Sequence, residues 1–156
     1  MSNIEDKLKE LKIELPKISK PIANYVGYVV SGNMVYISGQ LPMLDGKVAY
    51  TDQLGGGISV EVAYKAARLC GINILAQLKD VCDGDLDKVK RCVKLGIFVN
   101  STSTFTDHPK VGNGCSDLMV EVFGEEGRHS RFAVGCSQLP LNATVEISAM
   151  FEIKND

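Results

Sequence analysis

Tryptophan is absent, and histidine occurs only twice, at His108 and His129. Neither histidine has another nitrogen or sulfur ligand three or four residues away on an obvious helix, so no metal centre is expected. The five cysteines, Cys70, Cys82, Cys92, Cys115 and Cys136, include no C-x-x-C pair, and an odd number cannot all pair within one chain. Reduced, mostly buried thiols are the expected state. Neither G-x-x-x-x-G-K-[ST] nor G-x-G-x-x-G occurs, and Gly55-Gly56-Gly57 lacks the preceding strand a phosphate cradle requires, which leaves it as a loop. Runs of like charge are missing too. With a formal net charge of −2 and both signs interspersed, nothing grips a phosphate backbone, and nucleic acid is a disfavoured partner.

The one long uncharged stretch, Pro21 to Leu44, has the length of a membrane span but not its chemistry. Asn24, Ser31, Asn33, Ser38 and Gln40 would strand polar groups in lipid at a cost on the order of several kcal/mol each. Two short strands and a turn account for it, and no membrane partner is expected. Met1 to Lys12 mixes Glu5, Asp6 and Glu10 with Lys7, Lys9 and Lys12, unlike a secretory or mitochondrial leader, so a cytoplasmic location is expected. The 156 residues fit a single domain, 1–156, with no repeat or linker to divide it.

Ile4, Leu8 and Leu11 predict a short packing helix that ends before Pro16. Tyr25–Val30 and Met34–Ser38 flank Ser31-Gly32-Asn33 and predict a β-hairpin. Ser59 caps a long helix carrying Ala63, Ala67, Cys70, Ile74, Leu78 and Val81, and Gly71 inside it suggests close approach to a sheet or a merely tolerated glycine. From Val89 the residues Arg91, Val93, Leu95, Ile97 and Val99 alternate with Lys90, Cys92, Lys94, Gly96 and Phe98 as a strand. Leu118, Met119, Val122 and Phe123 predict a second helix that starts near Gly112-Asn113-Gly114 and closes at Gly124. Two strands follow, Arg131–Ser137 and Val145–Ile153. The order predicts an α+β fold with the helices on one sheet face.

Alternation sets Arg131 opposite Phe132 and Val134, and Glu146 opposite Val145 and Ile147. Both charges are therefore expected to leave the helix-packed side for a face that meets solvent or another subunit. Two ordinary surface charges are the plainer alternative.

The ordered segments Tyr25-Val26, Ile37-Ser38-Gly39-Gln40-Leu41-Pro42, Arg131 to Ser137, Leu139-Pro140 and Val145-Glu146-Ile147 resemble the signatures of the reactive intermediate deaminase (Rid, or YjgF) family. The resemblance runs from Pro21 to Ile153, with residues 1–20 as an N-terminal extension. It implies a chorismate-mutase-like fold of the bacillus type, a mixed β-sheet with two main helices on one face, assembled as a homotrimer with clefts between neighbours. It also implies hydrolysis of amino-acid-derived enamines and imines to 2-keto acids and ammonia, with no metal or organic cofactor.

By position, Arg131 would clamp the substrate carboxylate, helped by the backbone N–H of Ala133. Glu146, with the Gly39 carbonyl, would orient the attacking water. Tyr25 and Ser38 would line the cleft, with Asn113 as a further contact. Each has a plainer reading: hairpin packing for Tyr25, a strand end for Ser38 and Gly39, a turn for Asn113. His129, close to Arg131, reads as a solvated loop histidine, with titration beside the cleft as the alternative. Departures from the family pattern fall at Ala133, where cysteine is common, at the N-terminus, and in a longer loop around Thr106 to Gly114. A trimeric binding protein for small carboxylic acids is the alternative function. An endoribonuclease is a third reading, argued against by the lack of a basic stripe and of a histidine pair.

Overall fold

Ser59 leaves extended backbone and takes the Val62 N–H on its hydroxyl (3.2 Å), which starts the long helix where the sequence places it. In chain order the computed structural model, which describes residues 3–18 and 23–155, contains α1 (Asn3–Glu10), β1 (Tyr28–Ser31), β2 (Met34–Gln40), β3 (Met43–Leu44), β4 (Lys47–Val48), α2 (Val60–Val81), β5 (Val89–Asn100), α3 (His108–Phe123), β6 (Ser130–Cys136) and β7 (Val145–Ile153). Residues 1–2 and 19–20 of the N-terminal extension, and 21–22 of the uncharged stretch, lie outside the described residues. No helix among the described residues is long and apolar enough to cross a membrane.

Five strands form one mixed sheet in the order β1-β2-β7-β5-β6. All neighbours are antiparallel except β5 and β6, which run parallel around the α3 crossover. Helices α2 and α3 cover one face, burying Val35, Ile37, Leu95, Ile97, Val99, Val145, Ile147 and Phe151. The first hairpin closes through Gly32-Asn33, with Gly32 at φ +61, as a two-residue turn. Helix α1 packs with Leu8 buried, and the Asp87 carboxylate accepts the N–H groups of Asn3 (2.9 Å) and Ile4 (3.0 Å). All five cysteines are free thiols, and four are buried.

Several local expectations are corrected. Gly71 makes its close approach to α3, not to the sheet: a Cβ there would lie 2.7 Å from Leu118 Cδ2. Irregularities in the β5–β7 register shift the phase of β5, so Cys92 is buried with Leu95 instead of alternating with it. The proposed 106–114 loop is mostly the start of α3, which begins at His108-Pro109. Gly112 and Gly114 hide that helix from a propensity reading, yet both are buried because neighbours occupy the space of their missing side chains. A small hairpin not expected from sequence, β3–β4, turns at Asp45-Gly46 with φ angles of +52 and +81.

At Gly114 a Cβ would collide with the Tyr64 carbonyl of α2, a backbone atom with no room to yield. Gly114→Ala should therefore lower stability by about 1–3 kcal/mol through overpacking, outweighing the ~1 kcal/mol by which alanine favours a helix. Equilibrium urea unfolding measures the difference, and a stabilised variant would contradict this helix contact.

Candidate functional site

Strand β6 lies at the edge of the sheet, with β5 as its one neighbour. The Cys136 carbonyl turns toward β5, where it accepts the Ser101 N–H (3.0 Å). Peptide groups alternate sides along a strand, so the N–H and C=O groups of Arg131, Ala133 and Gly135 face the unpaired edge. The register pairs Leu95 with Arg131 and Ile97 with Ala133, and Gly96 with Phe132 and Phe98 with Val134. Arg131 and Ala133 thus belong to the helix side, while Phe132 and Val134 belong to the open side, where Phe132 meets Phe98 edge-on at 5.3 Å.

This corrects the expectation that both charges leave the helix-packed face: Glu146 does, Arg131 does not. The charge is tolerated there because β6 is an edge strand, and Arg131 remains partly exposed while α3 provides hydrogen-bond acceptors. Its Nη1 donates to Ser116 Oγ (3.0 Å) and its Nη2 to the Pro109 carbonyl (3.4 Å). Gly112 makes room, since a Cβ there would stand 3.3 Å from Nη1. Asn113 is four residues from Pro109 and three from Ser116, and so shares this helix face.

Behind Ser116 stands His129, half-buried and not the solvated loop residue expected from sequence. Its Nδ1 lies 2.6 Å from the Gly127 carbonyl and its Nε2 lies 2.8 Å from Ser116 Oγ. A carbonyl can only accept, so Nδ1 carries the proton and Nε2 accepts the serine O–H. Burial pushes the imidazole pKa below its ordinary value against the pull of the Gly127 hydrogen bond, and the charge of Arg131 pushes the same way as burial.

Glu146 leaves β7 on the open side, opposite Phe98 of β5. Between Ile37 and Gln40 the β2 register slips by one residue against β7, a bulge that takes Ser38 and Gly39 out of the regular pairing. The Glu146 carboxylate packs on Gly39, where a Cβ would collide with Oε2. Ser38 anchors the bulge by donating its hydroxyl to the Val26 carbonyl (2.7 Å) and its N–H to the Gly27 carbonyl (2.9 Å). Tyr25, 59% exposed, joins Ser38 and Gly39 around a hollow of about 180 Å³. Burial raises the pKa of Glu146 above the ordinary carboxylate value.

The seven residues named from sequence therefore form two groups. Arg131, Ala133 and Asn113 gather at the β6–α3 edge, and Glu146, Gly39, Ser38 and Tyr25 gather at the β2 bulge. Within one chain Arg131 and Glu146 project from opposite sides of the sheet. Sequence reasoning missed Ser116, whose signal is that a helix begun at His108 aligns Pro109, Gly112 and Ser116. Among the described residues no three His, Cys, Asp or Glu side chains cluster as metal ligands.

A mixed sheet backed on one face by two helices, with an arginine at one edge and a carboxylate on the bare face, defines an α+β protein of chorismate-mutase-like fold. The chain belongs to the YjgF, or Rid, family: residues 5–153 match the family model described as "YjgF/chorismate mutase-like, putative endoribonuclease". It is 48% identical over 149 residues to Protein TCP17 of Trypanosoma cruzi, covering 95% of this chain and 92% of that one. It is 30% identical over 142 residues to a 2-iminobutanoate/2-iminopropanoate deaminase of Dermatophagoides farinae, covering 91% and 95%. Among solved structures it matches Atu1372, a protein of unknown function from Agrobacterium tumefaciens, with a TM-score of 0.90 and 50% identity over 97% and 94% of the two chains.

The raised pKa of Glu146 carries a stability consequence. The folded chain holds that proton more tightly than the unfolded one, so stability declines as pH rises from the ordinary carboxylate value through the raised one. Glu146→Gln should remove this decline and leave the variant more stable than wild type at neutral pH. Chemical denaturation over a pH series tests it, and a decline that survives in the variant would show that burial of this carboxyl is not its source.

Proposed function

We propose that the protein hydrolyses imines and enamines derived from amino acids to 2-keto acids and ammonia, at sites completed by neighbouring copies in a homotrimer. The observation that carries this reading is the Arg131 guanidinium, oriented by two contacts to α3. Of its five N–H donors, two engage Ser116 and Pro109. The remaining donors, with the edge-facing N–H of Ala133, suit the two oxygens of a carboxylate. The deaminase named among the relatives supports the same chemistry.

An enamine first takes a proton at carbon to become the imine. Water held between the Glu146 carboxylate and the Gly39 carbonyl then attacks the imine carbon while Glu146 accepts its proton. The carbon–nitrogen double bond opens to a carbinolamine, Glu146 passes its proton to nitrogen, and ammonia leaves as the hydroxyl returns a proton to the carboxylate and the carbonyl forms. A pKa raised by burial makes Glu146 a stronger base for this exchange. A protonated imine is already a good electrophile, so holding the carboxylate and the water in register can supply much of the acceleration.

Arg131 and Glu146 project from opposite sheet faces, so joining them on one substrate calls for two copies of the chain. The open face suits such contact: Val29, Tyr36, Phe98 and Val134 are exposed there at 53, 41, 38 and 43%. RNA cleavage finds less support, because His108 is tied to Ser101 (3.2 Å) and His129 to Ser116, with no acid–base pair between them.

Coupled to an amino-acid dehydratase that releases 2-aminoacrylate, the wild type should speed keto-acid formation. Arg131→Ala should cut kcat/KM by about 10²-fold or more, the cost of unpairing a charged partner, and Arg131→Lys should recover little. Binding of 2-ketobutyrate with no rate gain on any imine would instead identify a non-catalytic carboxylate-binding protein. Val134→Asp, on the open face, should yield folded but inactive monomers in analytical ultracentrifugation, and an active monomer would refute the shared site.

A further inference from the structure

Ser116 and His129 stand behind Arg131 and take no part in the chemistry proposed for the site. The Gly127 carbonyl, His129, Ser116 and Arg131 nevertheless form one hydrogen-bonded chain with contacts of 2.6, 2.8 and 3.0 Å. Its directions are fixed from the far end. Gly127 can only accept, which puts the imidazole proton on Nδ1 and a lone pair on Nε2. The serine hydrogen must then point at Nε2, which turns the lone pairs of Oγ toward the guanidinium.

We propose that His129, acting through Ser116, is a positioning residue that holds the Arg131 guanidinium in its carboxylate-binding orientation only while the imidazole is neutral. This rests on the carboxylate clamp assigned to Arg131. Protonation of Nε2 reverses the donor at that end: an N–H meets the hydroxyl, the serine hydrogen has to swing away, and two cations share a single oxygen acceptor. The guanidinium is the partner free to move, because its other anchor is a 3.4 Å contact to the Pro109 carbonyl near the solvent edge.

The surroundings of His129 sharpen this dependence. On the strand that follows it lies Arg131. The preceding turn carries Arg128, paired with Glu125 at 3.0 Å. From β5 comes Arg91, whose Nη2 donates to the Arg128 carbonyl (3.2 Å), and from β7 comes Glu152, paired with Lys90 at 3.5 Å; Arg91, Arg128 and Glu152 line the same hollow as His129. Helix α3 presents Ser116, and its neighbour Asp117 is engaged by the Tyr64 hydroxyl (2.6 Å). None of these carboxylates bonds the ring, while Arg131 acts on it directly, so the neutral form is the one the site favours.

The experiment measures calorimetric binding of 2-ketobutyrate between about pH 5 and 8. It uses a Glu146→Gln background, so that titration of the catalytic carboxyl does not enter. The ligand stays ionised throughout. Affinity should be flat near neutral pH and fall about tenfold or more as the imidazole protonates, the scale of losing one charge-assisted hydrogen bond. His129→Gln places an acceptor oxygen near the position of Nε2 and cannot titrate, so it should bind as wild type at neutral pH and lose the acid-side fall. Ser116→Ala should bind about tenfold more weakly at every pH, and Ser116→Thr should restore binding. In the enzyme with Glu146 intact, Ser116→Ala should raise KM with kcat little changed.

An acid-side fall that persists in His129→Gln, or unchanged affinity in Ser116→Ala, overturns the relay alone, provided Arg131→Ala abolishes binding. Wild-type affinity in Arg131→Ala overturns the clamp and the relay with it.

Discussion

Because β6 pairs with β5 alone, and in parallel, half of its peptide groups have no partner in the sheet, and α3 must run back along its helix-facing side. That arrangement puts a row of outward N–H and C=O groups beside the polar groups of one helix face. Arg131 sits where the two meet. An interior strand would have buried this charge without water, and a strand with no helix behind it would have left the guanidinium free to turn. Gly112 of α3 lets the helix come close enough for side-chain and backbone acceptors to reach the arginine.

The carboxylate is held by a different device. Glu146 emerges on the bare face among apolar neighbours, and the bulge at Ser38-Gly39 brings a residue without a Cβ against it. A side chain at position 39 would displace the carboxylate, whereas glycine lets it lie against the bulge. Burial that raises its pKa is a cost to folding at neutral pH and an advantage to the base proposed for the reaction.

Much of this architecture was legible in sequence. The Ser59 cap, the first hairpin, the closing glycine of α3 and the last two strands follow from local chemistry that the tertiary structure leaves in place. Local signals failed where packing overrode them. Gly112 and Gly114 are poor helix formers, so propensity starts α3 too late, although those positions are the ones α2 and β6 press against. Alternation placed Arg131 opposite Phe132, but a period of two gives parity and not which face is covered; only the register against β5 decides that. Ser116 and His129 meet across thirteen residues and two elements, which no local pattern reports. The roles proposed for Arg131 and Glu146 rest on the resemblance to the family and not on periodicity.

The opposition of Arg131 and Glu146 across the sheet bears on why a small fold keeps an apolar face uncovered. Phe98, Val134 and Tyr36 gain little stability for an isolated chain, since exposed apolar area contributes only when removed from water. Covering that face with a second copy, as proposed, would bury this area and shield the carboxylate beside it, raising its pKa further by the same desolvation that already acts on it. A guanidinium delivered to that interface by the neighbour would act in the opposite sense, favouring the ionised form needed to accept a proton from water. Assembly and catalysis would then share one electrostatic balance: burial makes the carboxylate a stronger base, and the incoming positive charge keeps enough of it ionised to work.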